Sequence, residues 1–114
     1  MIARPSGWCL LKVEAVELIE DDFPGRVPVH LVDATHVPRT FEDKIPIFFL
    51  GDEPTSATRF PVPAHIRCQV LRTERHADGR EVLVVSTAVD GVETVDGLHE
   101  FRVRPDQVEQ PTAD

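Results

Sequence analysis

The 114-residue sequence contains no Asn, no Tyr, two Cys and six Gly. Without Asn it has no acceptor for N-glycosylation, and its tight turns depend on Gly, Asp and Pro. The cysteines, Cys9 and Cys68, form no C-x-x-C motif, so zinc and redox motifs have no support. We expect two buried thiols in a reducing compartment, with a single disulfide as the alternative. The longest apolar runs, such as Ile45–Leu50, are far too short to span a bilayer.

Positive charge is also scarce. Twelve Lys and Arg oppose 20 Asp and Glu, which gives a formal net charge of −8. Nucleic acids and anionic membranes bind proteins through basic residues, so this balance argues against both as partners. A basic protein would instead be steered towards the chain. The first residues lack the basic-then-apolar pattern of a signal peptide, and we expect a cytoplasmic protein.

Motifs that carry catalysis or bind a cofactor are missing as well. No Ser lies in a G-x-S-x-G motif, and the glycines are scattered singly rather than gathered in a phosphate-binding loop. The five His include no H-x-H pair and no H-E-x-x-H motif. We therefore predict no catalytic residues, no metal ligands and no cofactor. A metal- or small-ligand-dependent enzyme, with histidines and carboxylates at the mouth of a barrel, is the alternative.

The sequence does contain a regular alternation of apolar and polar residues with a period of two. This alternation is clearest from Ile66 to Leu71 and from Arg80 to Thr87, on either side of an Asp78-Gly79 turn. No stretch shows a convincing period of 3.6. The pattern predicts an all-β fold: a small antiparallel barrel of five to six strands, OB-like or SH3-like, with little or no helix. Residues 1–109 would form this single domain, and residues 110–114 a frayed tail.

Prolines and one change of phase predict where the strands are interrupted. The alternation changes phase after Ala15, as a β-bulge would produce. Pro28 favours an edge or strand-start position. Pro38 and Pro46 remove hydrogen-bond donors, so the extended stretch of residues 37–50 divides near Asp43-Lys44 into two short strands or one broken strand. Residues 51–64 include three more prolines and are predicted to form a long loop.

Acidic residues are unevenly distributed and give the main candidate site. One run without Lys or Arg covers residues 14–22, and a second covers residues 90–100. If the end of the first strand and the late turns meet at one rim, these acids form a docking surface for a basic protein. A solvated rim without a partner is the alternative. The predicted partner-binding residues are Glu17, Glu20, Asp21, Asp22, Asp90, Glu93 and Asp96.

The apolar run Ile45–Leu50 is a second candidate surface. Its six consecutive apolar side chains cannot all face the core from one short strand. Burial beneath the following loop is one explanation. A homodimer contact through Ile47, Phe48 and Phe49 is the other.

Two short segments carry a resemblance to other proteins. Phe41, Asp43, Lys44 and Pro46 form an F-x-D-K-x-P stretch, and Gly97–Val103 reads G-x-x-E-F-x-V. Together with a long first strand, these features resemble a group of small bacterial all-β proteins. The resemblance covers most of the chain and implies one intact domain, with no catalytic residues to carry over.

These observations predict a non-enzymatic binding module of the immunity or inhibitor type. Its acidic surface would imitate the substrate charge that a basic toxin or nuclease recognises. An OB-like nucleic-acid-binding module is a further alternative. That alternative would use the arginines of the hairpin from Arg67 to Arg80, and the acidic body of the protein opposes it.

Overall fold

In the computed structural model, residues 8–19, 25–49 and 51–109 are described. Within these ranges the chain forms seven β-strands, one helix of a single turn, and two 3₁₀ turns at Ala88–Asp90 and Pro105–Gln107. The strands are β1 (Trp8–Ala15), β2 (Arg26–Val32), β3 (Pro38–Lys44), β4 (Val62–Arg75), β5 (Glu81–Ser86), β6 (Glu100–Val103) and β7 (Val108–Glu109), and the helix is α1 (Ile45–Phe48). The predicted all-β fold with little helix is confirmed. The predicted tail at residues 110–114 lies outside the described residues.

Six strands form one antiparallel sheet in the order β3-β2-β1-β4-β5-β6. The sheet curls into a half-barrel, which brings its outer strands β3 and β6 towards each other. The rings of Phe41 in β3 and Phe101 in β6 meet edge to face, with centroids 5.4 Å apart. The segment between β5 and β6 covers the edge of β3, where Val95 N donates a 2.9 Å hydrogen bond to Thr40 O. The barrel is therefore completed by side chains and a loop.

The core lies inside the curl. Since successive side chains of a strand point to opposite faces, alternate residues enter the core, as Leu11, Val13 and Ala15 of β1 do. The β4–β5 hairpin follows the sequence prediction, with a turn at residues 76–80 and Gly79 at a φ of 87°. The buried core side chains include Cys9, Leu11, Val13, Ala15, Val27, Val29, Phe41, Phe48, Ile66, Cys68, Val85, Phe101 and Val103.

The apolar run after β3 forms a helix and corrects the predicted second strand. The chain breaks at Lys44, as predicted, but Ile45–Phe48 make one helical turn, in which Ile45 and Phe48 are buried. Pro46 lies in the first turn of this helix, where its missing N–H costs no intrahelical hydrogen bond. Among the described residues, no helix has the length and apolar character needed to cross a membrane.

A buried carboxylate, which the sequence analysis did not single out, fixes the turn between β2 and β3. Asp33 is only 2% exposed. One of its oxygens accepts hydrogen bonds from Thr35 N, Thr35 Oγ1 and Val37 N at 2.8–3.0 Å, and the other lies 3.2 Å from Arg39 Nε. Burial opposes the ionised form, but these donors outweigh it and hold the pKa of Asp33 below its usual value.

Candidate functional site: a cleft on the outer face of β1 and β4

The outer face of β1 and β4 gathers aromatic, apolar and basic side chains. Cys9 and Cys68 face each other across these strands and point inward. The adjacent residues therefore point outward: Trp8 and Leu10 on β1, and Arg67 on β4 directly opposite Leu10. This alternation places an indole, an isobutyl group and a guanidinium side by side on the outside of the barrel.

These side chains line a cleft of about 350 Å³. Its apolar walls come from β1 and from the exposed side of α1, and its polar groups come from β4 and the 3₁₀ turn after β5. Concave sites that are mainly apolar with a few placed polar groups are typical of binding sites. The lining residues are Trp8, Leu10, Pro46, Ile47, His65, Arg67 and Asp90. We refer to this set as the outer cleft.

Arg67 is held in a defined position at the outer cleft. Its Nη2 and Nε lie 2.6 and 3.1 Å from the two carboxylate oxygens of Asp90, a bidentate pair. Its guanidinium also lies over the ring of Trp8, with Cζ 5.1 Å from the ring centroid. The hydrogen bonds and charge of Asp90 raise the pKa of Arg67 further. Arg67 is therefore a fixed cation.

A second pair of polar side chains contributes to the same rim. His65 Nε2 lies 2.9 Å from Glu109 Oε1 in β7, the strand that pairs with β1 beside β2. Both basic groups of the outer cleft thus have a carboxylate partner. None of its lining residues carries a hydroxyl or thiol nucleophile. The geometry suits the recognition of an apolar group surrounded by paired polar side chains.

The predicted acidic residues are divided between several places. Glu20, Asp21 and Asp22 lie outside the described residues. Glu17 is exposed just after the C-terminal end of β1, whereas Asp90 is held by Arg67, opposite Leu10 near the other end of that strand. The structure therefore does not bring Glu17 and Asp90 to one rim.

The other two predicted acids belong to the segment between β5 and β6. Glu93 is exposed, and Asp96 accepts a hydrogen bond from Thr94 Oγ1 within the turn before β6. Leu98 N donates to the same Thr94 oxygen at 2.9 Å. Asp96 thus has a local structural contact, while Glu93 faces solvent.

The residues of the predicted homodimer contact differ in exposure. Phe48 is fully buried in the core, and Phe49 is partly buried against it. Ile47 is 36% exposed and lines the outer cleft. Only Ile47 among the three therefore presents a large apolar surface to a partner.

The basic hairpin is largely neutralised by neighbouring acids. Besides Arg67, Arg72 pairs with Glu74 at 3.3 Å and Arg80 pairs with Asp78 at 2.7 Å. In the described ranges, no group of three or more His, Cys, Asp or Glu residues is arranged to hold a metal ion.

Sequence reasoning found Asp90 and Ile47 but did not connect them with Trp8, Leu10 and Arg67. One feature of the sequence could have pointed to this cleft: Leu10 is apolar at a position of β1 where the alternation predicts an outward, polar side chain. In the structure Leu10 is buried. Comparison of the chain with protein-family models, curated proteins and solved structures gave no match. The residues of the outer cleft therefore carry the functional interpretation.

Proposed function

We propose that this protein is a non-enzymatic, cytoplasmic binding module that takes a basic protein partner at the outer cleft. The observation that supports this most is the combination of Trp8, Leu10 and Ile47 with the fixed Arg67–Asp90 pair. Trp and Arg are the residue types most enriched among those that dominate binding energy at protein interfaces. An apolar side chain of the partner fills the cleft, and polar groups around it contact the rim.

The charge of the chain supports a basic partner. A net charge of −8 attracts a cationic protein over long range and raises its rate of encounter. At the rim, Asp90 and Glu109 are exposed enough to meet basic groups while they hold their own partners. Of the acidic residues predicted from the sequence, Asp90 remains part of the proposed binding site. An apolar centre takes the place of the single acidic rim.

A nucleic-acid-binding module receives less support. Three of the four arginines that would bind phosphates, Arg67, Arg72 and Arg80, are paired with carboxylates within the chain, which lowers the positive potential they present. A small apolar ligand remains a second candidate because the volume of the outer cleft falls in the range of such sites.

The test uses Ile47→Asp, which places a charge in the outer cleft, and Val95→Asp as its control. Val95 is 67% exposed and does not line the cleft. Tagged wild type and both variants capture proteins from cells of the source organism, and mass spectrometry identifies what each retains. We expect a basic protein that wild type and Val95→Asp retain and that Ile47→Asp loses.

Trp8 then reports on the cleft with the purified partner. It is the only Trp, and the chain has no Tyr, so the intrinsic fluorescence comes from this site. We expect a stoichiometric, saturable change that weakens as salt rises. Equal retention by Ile47→Asp, or partner binding that leaves Trp8 fluorescence unchanged, would contradict the proposal. A saturable response to an apolar small molecule, with no protein retained, would favour the second candidate.

A further inference from the structure

A second cleft lies along the other edge of β1, which β2 and β7 share. The β1–β2 ladder ends at Glu14, opposite His30, and the β1–β7 ladder ends at Leu11, opposite Val108. In the part of the chain that the structure describes, neither ladder pairs Lys12 on this edge. We call the resulting gap, which has a volume of about 260 Å³, the seam.

The main chain of Lys12 faces the seam. Val16 N donates to Pro28 O, and alternate residues of an antiparallel strand direct their N–H and C=O groups to the same edge. Lys12 lies four residues before Val16, so its backbone groups point to the same edge and face the gap. A continued ladder would place Val32 opposite Lys12, but Val32 O instead accepts a 2.7 Å hydrogen bond from Gln107 Nε2.

Gln107 forms a rigid wall of the seam. Gln107 is only 9% exposed, and both ends of its side-chain amide are fixed. Nε2 donates to Val32 O, and Oε1 accepts a 2.9 Å hydrogen bond from Arg104 N. The gap is therefore preformed, and a ligand would not have to order this wall on binding.

Lys12 and Arg104 are the basic residues of the seam. Lys12, Arg104 and His30 line it, with Glu14 as the one acid in the lining. Arg104 donates its Nε to Asp106 at 3.0 Å, which uses one of the five N–H donors of a guanidinium. The side chains of Lys12 and Arg104 thus offer donors to a ligand beside the carboxylates of Glu14 and Asp106.

We propose that the seam binds a small oxyanion, a phosphate or a carboxylate group. The Lys12 ammonium and Arg104 guanidinium supply charge-assisted hydrogen bonds. The volume suits inorganic phosphate or a short dicarboxylate. This site is separate from the outer cleft and does not depend on the function proposed for it.

The test is an NMR titration of the full chain with inorganic phosphate and, separately, with succinate. Sodium chloride at matched ionic strength is the control for screening. The readouts are the Lys12 backbone amide and the Gln107 side-chain amide. The variants are Lys12→Gln and, as a matched control, Lys44→Gln, which removes the other lysine of the chain at an exposed position away from the seam.

We expect saturable shifts at both amides with at least one anion and none with chloride. Lys12→Gln should weaken binding about tenfold, while Lys44→Gln changes it less than about twofold. Saturation by phosphate alone or succinate alone identifies which oxyanion the seam takes. Ile47→Asp should leave the titration unchanged. The absence of saturation with both anions, or equal affinities of Lys12→Gln and wild type, would overturn the proposal.

Discussion

Removal of the Asp33 carboxylate should destabilise the protein more than removal of any exposed acid. Asp33→Ala deletes the acceptor for two backbone N–H groups and one hydroxyl, together with the partner of Arg39. Hydrogen bonds to a charged acceptor each contribute about 1.5–3 kcal/mol, and those of one group are not additive. Because water can reach part of this turn once the carboxylate is gone, we expect a loss of about 3 kcal/mol in the free energy of unfolding.

For a domain of this size, that loss lowers Tm by about 12 °C. The matched control is Asp78→Ala, since Asp78 makes the same kind of contacts with Arg80: a 3.0 Å bond from its backbone N and a 2.7 Å bond from its Nε. Asp78 is exposed, and we expect its variant to unfold close to wild type. Chemical and thermal unfolding measure both variants. Equal losses of stability in Asp33→Ala and Asp78→Ala would refute the argument that burial of Asp33 makes its contacts more important than those of an exposed carboxylate.

The same carboxylate gives a dependence on pH with a defined sign. The folded-state pKa of Asp33 lies below its usual value, so its contribution is present above the unfolded pKa of about 3.9. The contribution is lost as pH falls through the folded pKa. The stability difference between wild type and Asp33→Asn should therefore be constant near neutral pH and shrink below about pH 4. A difference that grew on acidification would contradict this sign.

Three further predictions follow from buried groups. Burial, with a smaller effect of Cys9, raises the pKa of the Cys68 thiol to about 12. The Cys68 thiol should therefore react with a disulfide reagent far more slowly in the native protein than in urea, and equal rates would contradict its burial. Thr87 Oγ1 donates a 2.6 Å hydrogen bond to Val92 O, so Thr87→Val should cost about 1–2 kcal/mol in urea unfolding, and Thr87→Ser should retain most of this stability. Phe101→Leu removes the edge-to-face contact with Phe41 and should cost about 1–2 kcal/mol; unchanged stability would show that this contact does not hold β3 against β6.

Local pattern was sufficient to predict the β4–β5 hairpin. The alternation on both strands and the Asp78-Gly79 turn lie within a short stretch, and the register follows from the turn. The phase change after Ala15 also has a structural counterpart. Val16 N donates to Pro28 O, and Ile19 N donates to Arg26 O. Between these two hydrogen bonds the segment after β1 advances by three residues and β2 by only two, which is the extra residue of a bulge.

Pro28 shows how the same irregularity misled sequence reasoning. It favoured an edge position, yet β2 lies between β3 and β1. Pro28 lacks an N–H towards β1 at the point where the β1–β2 ladder becomes irregular, which is where a sheet tolerates proline. The helix at Ile45–Phe48 was missed because a short apolar run has no periodicity that separates a strand from a buried helical turn.

The candidate site could not be assembled from sequence because its parts are distant along the chain. Arg67 and Asp90 are 23 positions apart, and the curl of the sheet decides that they meet. Clustering of acids along the sequence suggested one surface, but the fold separates Glu17 from Asp90. Glu17 follows one end of β1 and Asp90 lies beside the other end, so no choice of turn brings them together.

The most direct test of binding at the outer cleft is site-specific photocrosslinking in cells of the source organism. A benzophenone amino acid replaces Ile47 in one variant and Val95 in a control, since both positions are exposed but only the first lines the cleft. We expect a discrete adduct with a basic protein from position 47 alone, and a smaller yield of that adduct in the Asp90→Asn variant. Adducts of equal yield from both positions, or none from position 47, would contradict it.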